Sequence, residues 1–246
     1  MHIHSTFNCP LSSERADKLI SLLKFSDPKN IFDAGCGTGE FLMKAVEATG
    51  AKGVGVDHDR ALIKQANLIA SKRTSIKDVT FQSVDLRTEN IENETFDVAI
   101  CLGATHAFAE AEKALPETVK KLKRIVRPGG RILIGEGYWK QKPDPQYLDF
   151  MGEPTGIYRS HNETVTDLRA LGVTPIHACT ANVDEWDEFE WGHLRRAEAA
   201  ALEQPSDTAD MERLIQRREW LDGYLKWGRS TMGFGYYLVL NSMSSR

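Results

Sequence analysis

Two rhythms of apolar and polar positions alternate along the chain. Short unbroken apolar runs suit buried strands, and longer stretches with apolar residues three and four apart suit helices packed by one face. Residues 12–25 carry Leu19, Ile20, Leu22 and Leu23 as such a stripe, with Ser12 or Ser13 available as a cap. Pro28 and Asn30 then turn the chain into a short strand over 31–34. Helix 40–49 places Phe41, Leu42, Ala45 and Val46 on one side and stops at Gly50. The pattern continues with a strand over 53–57, a helix over 59–72, a strand over 79–84 and a strand over 96–102. A helix over 110–126 and a fifth strand over 131–134, entered through Arg127-Pro128-Gly129-Gly130, complete this part. Strands and helices alternating at these lengths predict an α/β protein with a parallel sheet covered on both faces.

Past residue 135 the spacing changes. A short helix over 163–170 and strands over 172–179 and 235–240 are expected. A plain hairpin between those last strands needs only a few residues. Here two helical patterns, roughly 186–203 and 207–227, lie between them, broken at Pro205-Ser206-Asp207. Residues 136–161, with Pro143, Pro145, Tyr147, Phe150 and Pro154, are expected as a loop. Ligands of open α/β sheets bind beyond the carboxyl ends of the parallel strands. Both insertions start from that edge, so both are expected to cap the binding face. The chain is thus divided as one domain, 1–246. Its core comprises 12–135, 163–183 and 230–242, and its cap elements are 136–162 and 184–229.

The candidate chemistry sits at the strand ends. The first strand leads into Asp33-Ala34-Gly35-Cys36-Gly37-Thr38-Gly39-Glu40. Glycines at 35, 37 and 39 permit positive φ and leave no Cβ to block a ligand lying on the backbone. The dinucleotide pattern G-x-G-x-x-G needs a glycine at position 40, where Glu stands. A carboxylate two residues before the turn disfavours a pyrophosphate and suits an ammonium or sulfonium group. Asp57 ends the second strand 22 residues after Gly35, about where folds of this type hold ribose hydroxyls. Asp85 closes the third strand.

The glycine turn, Asp57, Asp85, the strand Phe96-Asp97-Val98 and the Arg127-Pro128-Gly129-Gly130 turn resemble, in order and spacing, the class I S-adenosylmethionine (SAM)-dependent methyltransferases. The likeness covers about residues 12–135 and a C-terminal strand pair. Gly135-Glu136-Gly137-Tyr138-Trp139, Gly103-Ala104-Thr105-His106 and Gly233-Phe234-Gly235-Tyr236-Tyr237 also resemble a bacterial subgroup of small-molecule type. The resemblance implies a Rossmann-like, seven-stranded, mostly parallel sheet of order 3-2-1-4-5-7-6. Strand seven would be antiparallel, with a helical insertion between strands six and seven. It implies SAM as cofactor and S-adenosylhomocysteine as product. It places Asp33, Gly35, Gly37 and Gly39 at the methionine part, Asp57 with His58 at the ribose, and Asp85 with Leu86 at the adenine. Gly103 falls where cofactor and acceptor meet.

Methyl transfer from a sulfonium is an in-line displacement whose hard step the cofactor carries. The protein must position the nucleophile and take its proton where needed. His106, just past strand four, is one catalytic candidate, because imidazole accepts a proton near neutral pH. The alternative is a histidine bonded to backbone. Glu136 can orient an amine or hydroxyl, or else tie down the cap. Tyr138 and Trp139 can wall the substrate, close over the cofactor, or pack as ordinary lid residues. Asp184-Glu185-Trp186-Asp187-Glu188-Phe189-Glu190-Trp191 suits a helix start with an inward aromatic stripe, or a wall that selects an amine. Trp220, Tyr224 and Trp227 share one helical face.

Composition narrows the partners. A net charge of −4 provides no footprint for nucleic acid. No apolar run reaches the roughly 20 residues of a membrane helix, and Met1-His2-Ile3-His4-Ser5 lacks the features of a secretory signal. Cys9, Cys36, Cys101 and Cys179 lack C-x-x-C spacing, so reduced thiols in a cytoplasmic protein without a metal site are expected. The leading expectation is an enzyme methylating a small molecule, as a monomer or homodimer. A macromolecular methyltransferase and a non-catalytic SAM-binding regulator stand as alternatives. A nicotinamide dehydrogenase is disfavoured by Glu40.

Overall fold

The structure, a computed structural model, describes residues 7–24, 27–89, 91–154 and 156–242. The stretch Met1–Ser5 and Phe25, the last residue of the expected first helix, lie outside them. The core alternates strand and helix: α1 (Ser13–Lys24), β1 (Asn30–Ala34), α2 (Glu40–Thr49), β2 (Lys52–Asp57), α3 (Arg60–Lys72), β3 (Val79–Ser83) and β4 (Phe96–Leu102). After α4 (Ala114–Ile125) come β5 (Val126–Trp139), α5 (Pro145–Met151), α6 (His161–Ala170) and β6 (Val173–Thr180). Then follow α7 (Val183–Glu203), α8 (Thr208–Gly223) and β7 (Met232–Asn241).

The sheet has the order β3-β2-β1-β4-β5-β7-β6. β1, β2, β3, β4 and β5 pair in parallel, and β7 is antiparallel to both β5 and β6. Period-2 alternation along each strand divides the core. Ile31, Ile100 and Leu133 face a layer holding Leu19, Leu23, Leu42 and Ile63 of α1, α2 and α3. Phe32, Ala99 and Ile132 face Leu122, Ile125 and Leu168 of α4 and α6.

Local chemistry sets most boundaries. Ser12 accepts from Arg15 N–H to start α1, and Asp59 accepts from the N–H groups of Ala61 and Leu62 to start α3. Asn182 and Glu185 form a reciprocal capping box at α7, and Ser160 and Glu163 form another at α6. The Arg127–Gly130 turn proves to be an irregularity inside β5, because β4 pairs with Val126 on one side of it and with Arg131 on the other. Asp97 fastens it, accepting from Lys29 N–H and Asn30 N–H and pairing with Arg127.

Two expectations about element ends are corrected. α4 begins at Ala114, after 3-10 turns at Thr105–Ala107 and Ala111–Lys113, and not at 110. The fifth strand runs on to Trp139, so Glu136, Tyr138 and Trp139 are strand residues, not the start of a loop. The glycines here serve ring packing. A Cβ at Gly135 would come within 2.8 Å of the Phe234 ring, and one at Gly137 within 2.7 Å of the Tyr158 ring.

Candidate active site

The glycine turn between β1 and α2 is held from the neighbouring strand. Gly35 and Cys36 N–H both donate to the Val56 carbonyl. Gly37 N–H donates to Asp57 Oδ2 at 2.9 Å, while Asp59 N–H donates to Asp57 Oδ1 at 2.9 Å. Asp57 thus couples two adjacent strand-to-helix turns before it meets any ligand. Gly35 has φ +70°, and a Cβ there would fall 2.2 Å from that of Ala104. Gly37 has φ +55°, and a Cβ there would meet nothing within 4 Å. Gly39 does not face the ligand space. Its Cα seats α2 against the Phe81 ring, which a Cβ would approach to 2.3 Å.

These turns open into a cavity of about 960 Å³ beyond the carboxyl ends of β1, β2 and β4. Asp33, Gly35, Gly37, Asp57, His58, Asp85, Leu86 and Gly103 all line it; of the expected cofactor residues only Gly39 does not. Asp33 is buried at 4% exposure. Burial, then the charge of Asp57, pushes its carboxyl up to about 7. Two acids with this little water favour a cation and hydroxyl donors as ligands. The His58 ring lies 3.4 Å from Asp57 Oδ1. Asp85 stands exposed two residues past β3 and accepts from Arg87 N–H, while Leu86 beside it is buried. The donor set fits SAM: acids for an amino group and a ribose, bare backbone at the turn and an apolar wall.

A second cavity, of about 560 Å³, lies under α5, α7 and α8. The two cavities share Asn8, Cys9, Gly103 and His106. Gly103 N–H donates to the Gly135 carbonyl, which sets the end of β4 beside Glu136. Glu136 lines the second cavity. Its Oε1 accepts from its neighbour Gly137 N–H at 3.2 Å, and its Oε2 is buried with no hydrogen-bond partner among the described residues. Burial lifts this carboxyl to about 7, against the lowering effects of Thr105 and Gly137 N–H.

The structure does not place Tyr138 in either cavity. It points to the opposite side of β5 from Gly137 and Trp139, covers Gly233 and meets the His161 ring at 5.4 Å. Trp139 is buried and meets Tyr147 and Tyr158 in T-shaped contacts. Sequence reasoning passed over Asn8 and Cys9, and nothing local marks them. They reach the junction because Tyr236 hydroxyl donates to the Pro10 carbonyl and Glu185 accepts from Ser12 N–H and Oγ and from Arg15 Nε. Tyr158 and Glu190 also line the second cavity.

A sheet of this order, with a glycine turn and acidic strand ends at one edge, defines a Rossmann-like methyltransferase. The chain belongs to the methyltransferase-domain family, whose profile matches residues 25–188. A SAM-dependent methyltransferase from Geobacter sulfurreducens, solved in complex with S-adenosyl-L-homocysteine, superposes with a TM-score of 0.87. It is 26% identical, covering 97% of this chain and 94% of that one. The uncharacterized protein YjhP of Escherichia coli is 28% identical over 94% of this chain and 92% of its own length. The 27-O-demethylrifamycin SV methyltransferase of Amycolatopsis mediterranei is 23% identical over 71% of this chain and 64% of its own length. SAM is the methyl donor of this family. No helix among the described residues is long and apolar enough to cross a membrane.

Proposed function

We propose that the protein transfers a methyl group to a nucleophilic atom of a small molecule held in the second cavity. The carrying observation is that a cavity suited to SAM and a capped cavity of about 560 Å³ meet at Gly103 and His106. That volume lies within the range of small-molecule sites. The Amycolatopsis relative, whose name gives a demethylrifamycin as its substrate, supports a small acceptor.

Bound SAM supplies a methyl group already activated by a positive sulfur. Asp33 holds the amino group, Asp57 with His58 receives the ribose hydroxyls, and Asp85 with Leu86 frames the adenine. Gly37 lets the ligand lie on the backbone, Gly35 and Gly39 act indirectly by fitting the turn against Ala104 and Phe81, and Gly103 lines the junction of the two cavities. Glu136 is the leading catalytic residue. Its unpartnered Oε2 accepts the acceptor's N–H or O–H, and a carboxyl near 7 can take that proton at neutral pH. His106 is the second candidate, at the junction itself. Tyr138 has no part in this scheme beyond packing β5 against α6 and β7.

The test is S-adenosylhomocysteine production from SAM with a panel of amines, phenols and thiols. At least one class is expected to turn over, and Glu136→Gln is expected to lower the rate by about 100-fold or more with homocysteine-adduct binding intact. Binding without turnover on any class would instead support a SAM-binding regulator. Unchanged turnover in Glu136→Gln would pass the proton-transfer role to His106.

A further inference from the structure

Resting on the small-molecule reading above, we propose that the acceptor carries a protonated amine and that Glu190 of α7 anchors it. Glu190 is not needed for the chemistry just described. It sits at 5% exposure and lines the cap cavity with Trp186, Phe189, Trp220, Tyr224 and Tyr147. Trp186 and Tyr224 stack with ring centroids 6.1 Å apart, and Phe189 meets Trp186 edge-on. Aromatic faces attract cations more strongly when water is excluded.

A carboxylate accepts at about four positions. Among the described residues Glu190 receives one hydrogen bond, from Trp220 Nε1 at 2.9 Å to Oε2. That bond does not explain the acid as a tie between helices. Arg218 already joins Glu198 across α7 and α8 through two bonds, and Ala197, Ala201 and Leu214 pack between the helices. An apolar residue would close the gap without a buried charge. Burial raises the Glu190 carboxyl to about 7 against the lowering effects of the Trp220 bond and of Arg217 of α8, and Tyr147 and Tyr224 stand near it as neutral phenols.

The rest of the cavity has the same sign. Glu112, Glu136, Glu153, Asp167 and Glu190 line it. Among the described lining residues Arg159 is the one guanidinium, and its Nε lies 3.3 Å from Asp167. An anionic acceptor would meet five carboxyl groups and a single guanidinium already paired with one of them. A neutral one would leave Glu190 buried and short of partners. An ammonium on an apolar or aromatic frame satisfies both the acid and the rings.

The experiment is calorimetric binding to full-length protein saturated with S-adenosylhomocysteine, so no methyl transfer is required. The probes are phenethylamine, 2-phenylethanol and phenylacetate. The amine is expected to bind at least about tenfold tighter than the alcohol, and phenylacetate more weakly still. In Glu190→Gln, which keeps an acceptor oxygen for Trp220, the amine and alcohol are expected to bind within about twofold of each other. Glu112→Gln, at an exposed position of the same cavity lining, is expected to retain the amine preference. Equal binding of amine and alcohol by the wild type, preference for phenylacetate, or an amine preference that survives Glu190→Gln would each overturn the proposal. A preference lost in Glu136→Gln and kept in Glu190→Gln would assign the anchor to Glu136 and refute the role of Glu190. Failure of the homocysteine adduct itself to bind would be a separate result, against the cofactor site.

Discussion

Gly35 and Gly37 stand two residues apart in one turn, yet adding a methyl group to each should have different consequences. Both have positive φ, and forcing an alanine there costs about 1 kcal/mol or somewhat more. For Gly37→Ala that is nearly the whole stability cost, since its Cβ would meet nothing within 4 Å. For Gly35→Ala the new Cβ would lie 2.2 Å from the Ala104 Cβ. Carbons rest about 3.5–4.0 Å apart, so one backbone must yield by more than about 1 Å, adding about 1–3 kcal/mol of overpacking. A chain of this size loses about 2–4 °C of melting temperature per kcal/mol. Gly37→Ala should therefore melt about 2–4 °C below wild type and Gly35→Ala, at about 2–4 kcal/mol in total, about 4–16 °C below. Gly37 lines the cofactor cavity, so its alanine variant should stay folded while losing affinity for S-adenosylhomocysteine. The assay pairs thermal unfolding with calorimetry. Equal melting of the two variants would refute the packing argument. Full affinity in Gly37→Ala would refute the claim that the ligand lies on that backbone.

Two further outcomes follow from buried acids. Burial raises Glu136 to about 7 from an ordinary 4.5, so the folded state holds its proton more tightly than the unfolded one. That contribution is present below pH 4.5 and is lost as pH rises through about 7. Glu136→Gln should then be more stable than wild type at pH 8 and lose that advantage toward pH 5, as read by denaturant titration at each pH. A variant less stable at pH 8 would contradict the burial argument. Glu185, despite burial, is held below its usual range by Arg15 and Ser12. Glu185→Ala should cost about 2 kcal/mol, allowing for the part-exposed Arg15, and should weaken ligand binding by freeing residues 7–12 beside both cavities. Unchanged stability would show that this clamp is not structural.

The strand-turn-helix from Ile31 to Thr49 and the acidic end of β2 were legible because their chemistry is local. Glycines, the acidic strand ends Asp33 and Asp57 and an apolar stripe lie within short stretches of sequence. The alternation of elements predicted the parallel sheet, and the strand order came from the resemblance alone. The end of β5 was not legible: Gly135 and Gly137 suggest a loop, whereas they make room for Phe234 and Tyr158, which lie far off in sequence. Tyr138 was misplaced for the same reason, because its ring packs on Gly233 of β7 and His161 of α6, which are distant in sequence. Cys9 and Asn8 reach the junction with help from Tyr236 and Glu185, more than 170 residues away. The helix expected over 207–227 passes into a π turn at Tyr224–Gly228, where Gly228 lies against the Tyr147 hydroxyl, a contact with no signal in the sequence.

The most direct test of the central claim is a calorimetric titration of the protein with S-adenosylhomocysteine, with NAD as control, repeated on Asp57→Ala. Removing Asp57 takes away both the proposed ribose acceptor and the 2.9 Å bond that holds Gly37 in place. Micromolar binding (about −8 kcal/mol) by wild type, no response to NAD, and loss of binding in a folded Asp57→Ala protein are the predicted results. Binding of NAD without S-adenosylhomocysteine, or full affinity in Asp57→Ala, would contradict the account.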